Sequence, residues 1–147
     1  MGQRLGDTGM ARKEKVVVDA SVVTKWYGKE KDSERAIEYM ERHITGRVEL
    51  VAPALLVYEV ANALNYKPDF TEEDVKSSMD ALADLSLTVE MPSKELMKRA
   101  VTVARDSDLS IYDSCYIALA ERLNARMVTA DRRLRDRTRK HPLIYFL

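Results

Sequence analysis

A single cysteine in 147 residues rules out an internal disulfide framework and suits a reducing compartment. No apolar run approaches the ~20 residues that a bilayer-spanning helix needs. Residues 1–15, MGQRLGDTGMARKEK, lack the apolar stretch of a secretory signal. A cytoplasmic location with no membrane partner is therefore expected. His43 and His141 stand far apart, neither has a triad partner nearby in sequence, and no His/Cys cluster exists to recruit zinc. No Gly-rich phosphate loop is present, which removes the nucleotide-binding readings. Charge of either sign is not in excess: 24 Lys and Arg balance 24 Asp and Glu, so nothing attracts nucleic acid globally. Internal repeats, low-complexity segments and interdomain linkers are also missing.

What is present is ordinary for a folded domain, with 46% hydrophobic and 33% charged residues. The length fits one domain with a real core. Residues 1–14 read as a disordered extension, in which Met10 is a candidate start, and 15–147 as the domain. VVVD (16–19) is a β-branched run typical of a strand buried on both faces. Further strands are expected at 48–52, 87–91, 127–130 and 143–147. Helices are expected from Ser21, over 33–44, from Pro53 to about Tyr66, from a Thr71 capping box to Leu85, from a Ser93 cap to about Arg105, from Tyr112 to Ala125 and over 132–139. Strands separated by such helices imply an α/β fold, a parallel sheet of four to five strands covered on both faces.

Four acids interrupt apolar surroundings: Asp19 in VVVDAS, Glu59 in LLVYEVANAL, Asp113 in SIYDSCYIALA and Asp131 in MVTADRRL. Charged groups are rarely buried unless they are paired or bind a metal. Asp19 and Asp131 fall at strand ends, where open parallel sheets bind their ligands. Within 54–64 almost every residue is apolar, which predicts a helix buried nearly all round. Glu59 and Asn62 break that run three positions apart, hence on one face. At ~100° per residue, Tyr112, Cys115, Tyr116, Ile117, Leu119, Ala120 and Leu123 form an apolar stripe, with Asp113 inside it. Asp19 and Asp131 have an alternative as helix caps, and Asp113 as partner of Ser110 in a capping box. Glu59, mid-helix, has none. A divalent cation would account for all four. Oxygen-only ligation favours Mg²⁺ or Mn²⁺, one ion or two. Ser21 either helps bind a phosphate near a helix N-terminus or caps that helix.

Between 122 and 140 lie Arg122, Arg126, Arg132, Arg133, Arg135, Arg137, Arg139 and Lys140 against only Asp131 and Asp136. Such a block suits a phosphodiester, or is simply a solvated face. Cys115 reads as a core residue, and Trp26 as core or interface rather than a base-stacking platform. Tyr58, Tyr66 and Tyr116 read as core or dimer contacts.

VVVDASVVTKW, PALLVYEVANAL, IYDSCYIALAERL and VTADRRL, in this order and spacing, resemble the PIN-domain ribonucleases, and within them the VapC-type toxins of toxin–antitoxin pairs. The resemblance covers 16–147. It implies a three-layer α/β/α Rossmann-like PIN domain, a Mg²⁺- or Mn²⁺-dependent endoribonuclease acting on RNA, a homodimer, and a small antitoxin partner. Asp19, Glu59, Asp113 and Asp131 match the family's catalytic and metal-binding quartet. Ser21 and Thr129 match small hydroxyl residues beside the first and last acids, and Asn62 the polar residue one turn after Glu59. Lys25 matches a basic residue that precedes an aromatic. The extension before the first strand departs from the family pattern. Two other readings stand beside this one: a catalytically silent binding module on the same fold, and a phosphoacceptor signalling domain. The latter wants two adjacent acids after strand one and a lysine after the last strand, where this chain has Asp19 alone and ends its final strand at Leu147.

Overall fold

Val16, Val17 and Val18 have no exposed surface, as a β-branched run must when helices cover both sheet faces and strands flank both sides. The computed structural model describes residues 13–147. The expected extension therefore lies outside the described residues up to residue 12, as does Met10, and Glu14 already belongs to the first strand. The strands are β1 Glu14–Val18, β2 Val48–Pro53, β3 Thr88–Glu90, β4 Arg126–Thr129 and β5 Ile144–Phe146. The α-helices are α1 Ala20–Val23, α2 Ser33–Ile44, α3 Leu55–Asn65, α4 Glu72–Asp84, α5 Lys94–Ser107, α6 Ile111–Leu123 and α7 Arg132–Arg137.

All strand pairings are parallel and the order is β3-β2-β1-β4-β5. From β1 the chain moves outward through β2 to β3, then crosses to β4 on the other side of β1 and on to β5. The reversal between β1 and β4 opens a crevice at their carboxyl ends, the usual ligand position in such sheets. Right-handed crossovers place α1–α4 on one face and α5–α6 on the other. The α5–α6 pair buries Leu96, Ala100 and Val103 from one helix and Tyr116, Ile117, Leu119 and Ala120 from the other. This is the expected three-layer α/β/α arrangement.

Local signals explain most boundaries. The Thr71 capping box forms as expected: Asp74 N–H donates to Thr71 Oγ1 (3.1 Å) and Thr71 N–H to Asp74 Oδ2 (2.9 Å). Ser93 caps α5 through the Leu96 N–H. Three expectations need correction. Pro53 does not open α3; it is the last residue of β2, opposite Glu90, and the missing N–H costs nothing at a strand end. The helix expected from Ser21 starts at Ala20 and lasts one turn before tightening into a 3₁₀ turn at Thr24–Trp26. Trp26 is buried in the core and donates Nε1–H to the Ala36 carbonyl at 2.8 Å, which pins that turn to α2. Finally, α3 is not buried all round: Leu56, Val60 and Leu64 face the core, whereas Val57 and Tyr58 are exposed. The helix packs on β2, α1 and α4, and Val57 and Tyr58 stay exposed among the described residues.

Candidate active site

The end of β1 and the end of β4 are joined by a lattice of hydroxyl hydrogen bonds around Asp19, which is buried. Ser21 Oγ donates to Asp19 Oδ1, and Thr129 Oγ1 donates to Asp19 Oδ2. Ser21 Oγ accepts the Ala130 N–H at 2.8 Å, and Thr129 Oγ1 accepts the Asp131 N–H at 3.1 Å. Asp19 Oδ1 also takes the Val22 N–H (3.3 Å), so Asp19 is the N-cap of α1 as well as the centre of this lattice. Ser21 therefore does not cap the helix. Its hydroxyl is committed to Asp19 and the Ala130 amide, which corrects its alternative role.

The second strand-end acid behaves similarly. Asp131 caps α7 with one oxygen: Oδ1 accepts from the Arg133 and Leu134 N–H groups (2.9 and 3.1 Å). The cap readings for Asp19 and Asp131 are thus correct, and they coexist with the cluster. For Asp113 the capping box is half made. Ser110 Oγ accepts the Asp113 N–H (3.0 Å), but no hydrogen bond runs from the Ser110 N–H to the Asp113 carboxylate.

Glu59 reaches the site from α3 and is held by a residue from α6: Tyr116 Oη donates to Glu59 Oε1 at 2.6 Å. Tyr116, expected as a core or dimer contact, is thus also a hydrogen-bond donor to the site. The usable signal was its phenol, since a buried tyrosine hydroxyl needs a partner, and Glu59 was the one acid without any. The stripe on α6 also needs correction at its start, because Tyr112 is 63% exposed.

The electrostatics link the four acids in a chain. Burial pushes the Asp19 carboxyl up to about 6; its hydroxyl and amide donors oppose the rise and neighbouring Asp131 adds to it. Burial also raises Glu59, against the Tyr116 hydrogen bond and with repulsion from Asp113. Asp113 is raised by burial and by Asp131, with Ser110 and Arg133 opposing. The Tyr116 phenol is raised strongly by burial and by Glu59, Asp19 and Asp113. Each acid thus senses at least one other.

The donor chemistry fits a hard divalent cation: four carboxylates, one of them buried at an ionisation cost that a cation would relieve. Their spacing is looser. Among the described residues no three His, Cys, Asp or Glu side chains stand close enough to hold one ion together. Asp19 is fixed by its lattice, whereas Glu59 and Asp113 are half-buried. The supporting residues divide. Ser21 and Thr129 are in the site. Lys25 is engaged elsewhere, with Glu30 (3.6 Å) and the Lys31 carbonyl (3.1 Å). Asn62 is exposed on α3 and makes no side-chain hydrogen bond among the described residues.

This arrangement has known counterparts. The PIN domain family model matches residues 16–140. Ribonuclease VapC3 of Pyrobaculum aerophilum is 34% identical over 127 residues, covering 84% of this chain and 94% of that protein. Among solved structures, a toxin–antitoxin complex from Klebsiella pneumoniae superposes with a TM-score of 0.67 at 12% identity, covering 88% of this chain and 95% of that one. The Mycobacterium tuberculosis toxin VapC20, which cleaves the sarcin–ricin loop, superposes with a TM-score of 0.65 at 13% identity, covering 86% and 95%. At those identities the structures speak for the fold, while the family match and the VapC3 relationship carry the assignment. The chain belongs to the PIN-domain family, among proteins of the VapC type.

Proposed function

We propose that this protein is a metal-dependent endoribonuclease that hydrolyses RNA phosphodiester bonds, and the toxin of a toxin–antitoxin pair. The observation that carries the chemistry is the buried Asp19, held by Ser21 and Thr129 at the β1/β4 crevice and linked electrostatically through Asp131 and Asp113 to Glu59. VapC3, a ribonuclease by name, supports the activity, and the toxin–antitoxin complexes sharing the fold support a small antitoxin as partner. Asp19, Asp113, Asp131 and Glu59 are the residues that would hold Mg²⁺ or Mn²⁺, one ion or two. Such an ion supplies a more acidic bound water and a counter-charge for the phosphoryl oxygens.

The chain's own residues do the rest. Asp19, immobilised by two hydroxyls and an amide, fixes the ligand position that least tolerates movement. Asp131 keeps Oδ2 outside its capping bonds to α7. Tyr116 aims Glu59 and favours its ionised form at pH 7. Lys25, held by Glu30 and the Lys31 carbonyl, and the exposed Asn62 are proposed to serve the approach of the substrate.

A homodimer belongs to the same reading. Tyr58, Met91 and Tyr112, exposed at 77%, 70% and 63%, surround an apolar cavity of about 410 Å³ that is also lined by Pro53, Leu55 and Ile111. A contiguous apolar surface of this kind suits a partner protein. The decisive test is cleavage of total RNA by wild type and Asp113→Asn in Mg²⁺, Mn²⁺ and EDTA. Metal-dependent cutting that disappears in the variant supports the reading. Equal cutting by both would expose a contaminant, and no cutting at all would favour a silent binding module.

A further inference from the structure

The basic block at 122–140 separates into two sets in three dimensions. Arg122 pairs with Glu90, Arg126 with Glu14, and Arg137 with Asp108, while Arg135 and Arg139 share Asp136. Arg135 also lies over the Phe146 ring, 4.5 Å from its centre. All five are already paired, and Arg122, Arg126 and Arg137 join segments distant in sequence. Arg132, Arg133 and Lys140 are exposed and form no side-chain ion pair or hydrogen bond among the described residues. Of these three, Arg133 alone belongs to the acid cluster. Its main-chain N–H is tied to Asp131 Oδ1 at 2.9 Å, which anchors the residue beside that acid.

An unpaired arginine at this place has a use. A polyanionic strand approaching four carboxylates is repelled unless some positive charge meets its phosphates. Cations already neutralised by Glu90, Glu14, Asp108 or Asp136 supply little of it. Guanidinium offers a planar fork of donors matched to phosphate oxygens. Arg133 follows Asp131 by two residues on α7, so its backbone is fixed relative to the acids while its side chain is free to reach outward.

We infer that Arg133 binds a phosphate of the RNA strand at the rim of the acid cluster and thereby sets the phosphodiester against the four carboxylates. The inference rests on the nuclease reading and adds a substrate contact to it. The test uses the whole chain. Binding of a single-stranded RNA is followed in an Asp19→Asn background with Mg²⁺ over a range of salt. KM is measured in the otherwise wild-type protein, and thermal midpoints are recorded for every variant. Arg133→Ala should raise Kd and KM roughly ten-fold and reduce the salt slope by about 0.7, with the thermal midpoint unchanged. Arg133→Lys, which keeps the charge but not the fork, should restore the slope and only part of the affinity. Arg132→Ala and Lys140→Ala should change each quantity less. If wild type cuts RNA and Arg133→Ala behaves like Arg132→Ala, the nuclease reading stands and the Arg133 contact is refuted. An unaltered salt slope with a lowered midpoint would assign Arg133 to the fold instead. A wild type that neither binds nor cuts RNA overturns both.

Discussion

Asp19 bears the largest electrostatic cost in the site, and that cost has a direction in pH. Its folded pKa, about 6, lies above the unfolded value of 3.8. Its contribution therefore favours folding below about pH 4 and is lost as pH rises through about 6. In EDTA the protein should be less stable at pH 7.5 than at pH 5 on this account, by about 1 kcal/mol. Thermal melts at the two pH values check this; a midpoint that falls on acidification would contradict it. Asp19→Asn removes the charge at similar volume, so it should flatten this pH dependence while abolishing cleavage. Tyr116→Phe tests the Glu59 contact. Losing the donor should cost about 1 kcal/mol of stability and push the Glu59 carboxyl further up, moving the acidic limb of the pH–rate profile to higher pH.

At the scale of elements, the short turn after β1 depends on Trp26. Trp26→Ala removes a buried indole and its bond to the Ala36 carbonyl, and should cost about 3–5 kcal/mol in chemical denaturation. Had Trp26 been a base-binding platform, stability would hardly change. Much of this level was legible in sequence. The β-branched run at 16–18 could only be a central strand, and Thr71 with Asp74 announced the start of α4. Glu59 was legible as a site candidate because a mid-helix acid in an apolar run has no local purpose. Pro53 misled because proline is as natural at a strand's last residue as at a helix's first. The uniform apolarity of 54–64 misled because an unbroken apolar run does not show which side meets the core and which stays exposed. The basic block could be seen, but which cations were already paired depended on Glu14, Glu90 and Asp108, distant in sequence.

For the molecule as a whole, the exposed apolar surface and the acid cluster make separate demands. Tyr58→Lys places a charge in the centre of the proposed dimer surface and should shift the protein to a monomer by sedimentation. An unchanged sedimentation coefficient would move the interface elsewhere. Divalent cations should stabilise the fold through the acids: at a concentration one hundred times its Kd, Mg²⁺ should add about 2.7 kcal/mol. Equal midpoints in Mg²⁺ and EDTA would count against a cation site.

The hydroxyl lattice at Asp19 joins residue 21 to residue 129. During synthesis these positions leave the ribosome far apart in time, on the order of 5 to 20 seconds at ~5–20 residues per second. Until β4 has been made and has docked beside β1, Asp19 lacks Thr129, and Asp131 does not yet exist. Until that segment emerges, a nascent chain lacks the proposed four-acid site, and a message broken ahead of it yields a fragment without Thr129 and Asp131. For an enzyme aimed at RNA, order of synthesis is itself a safety catch.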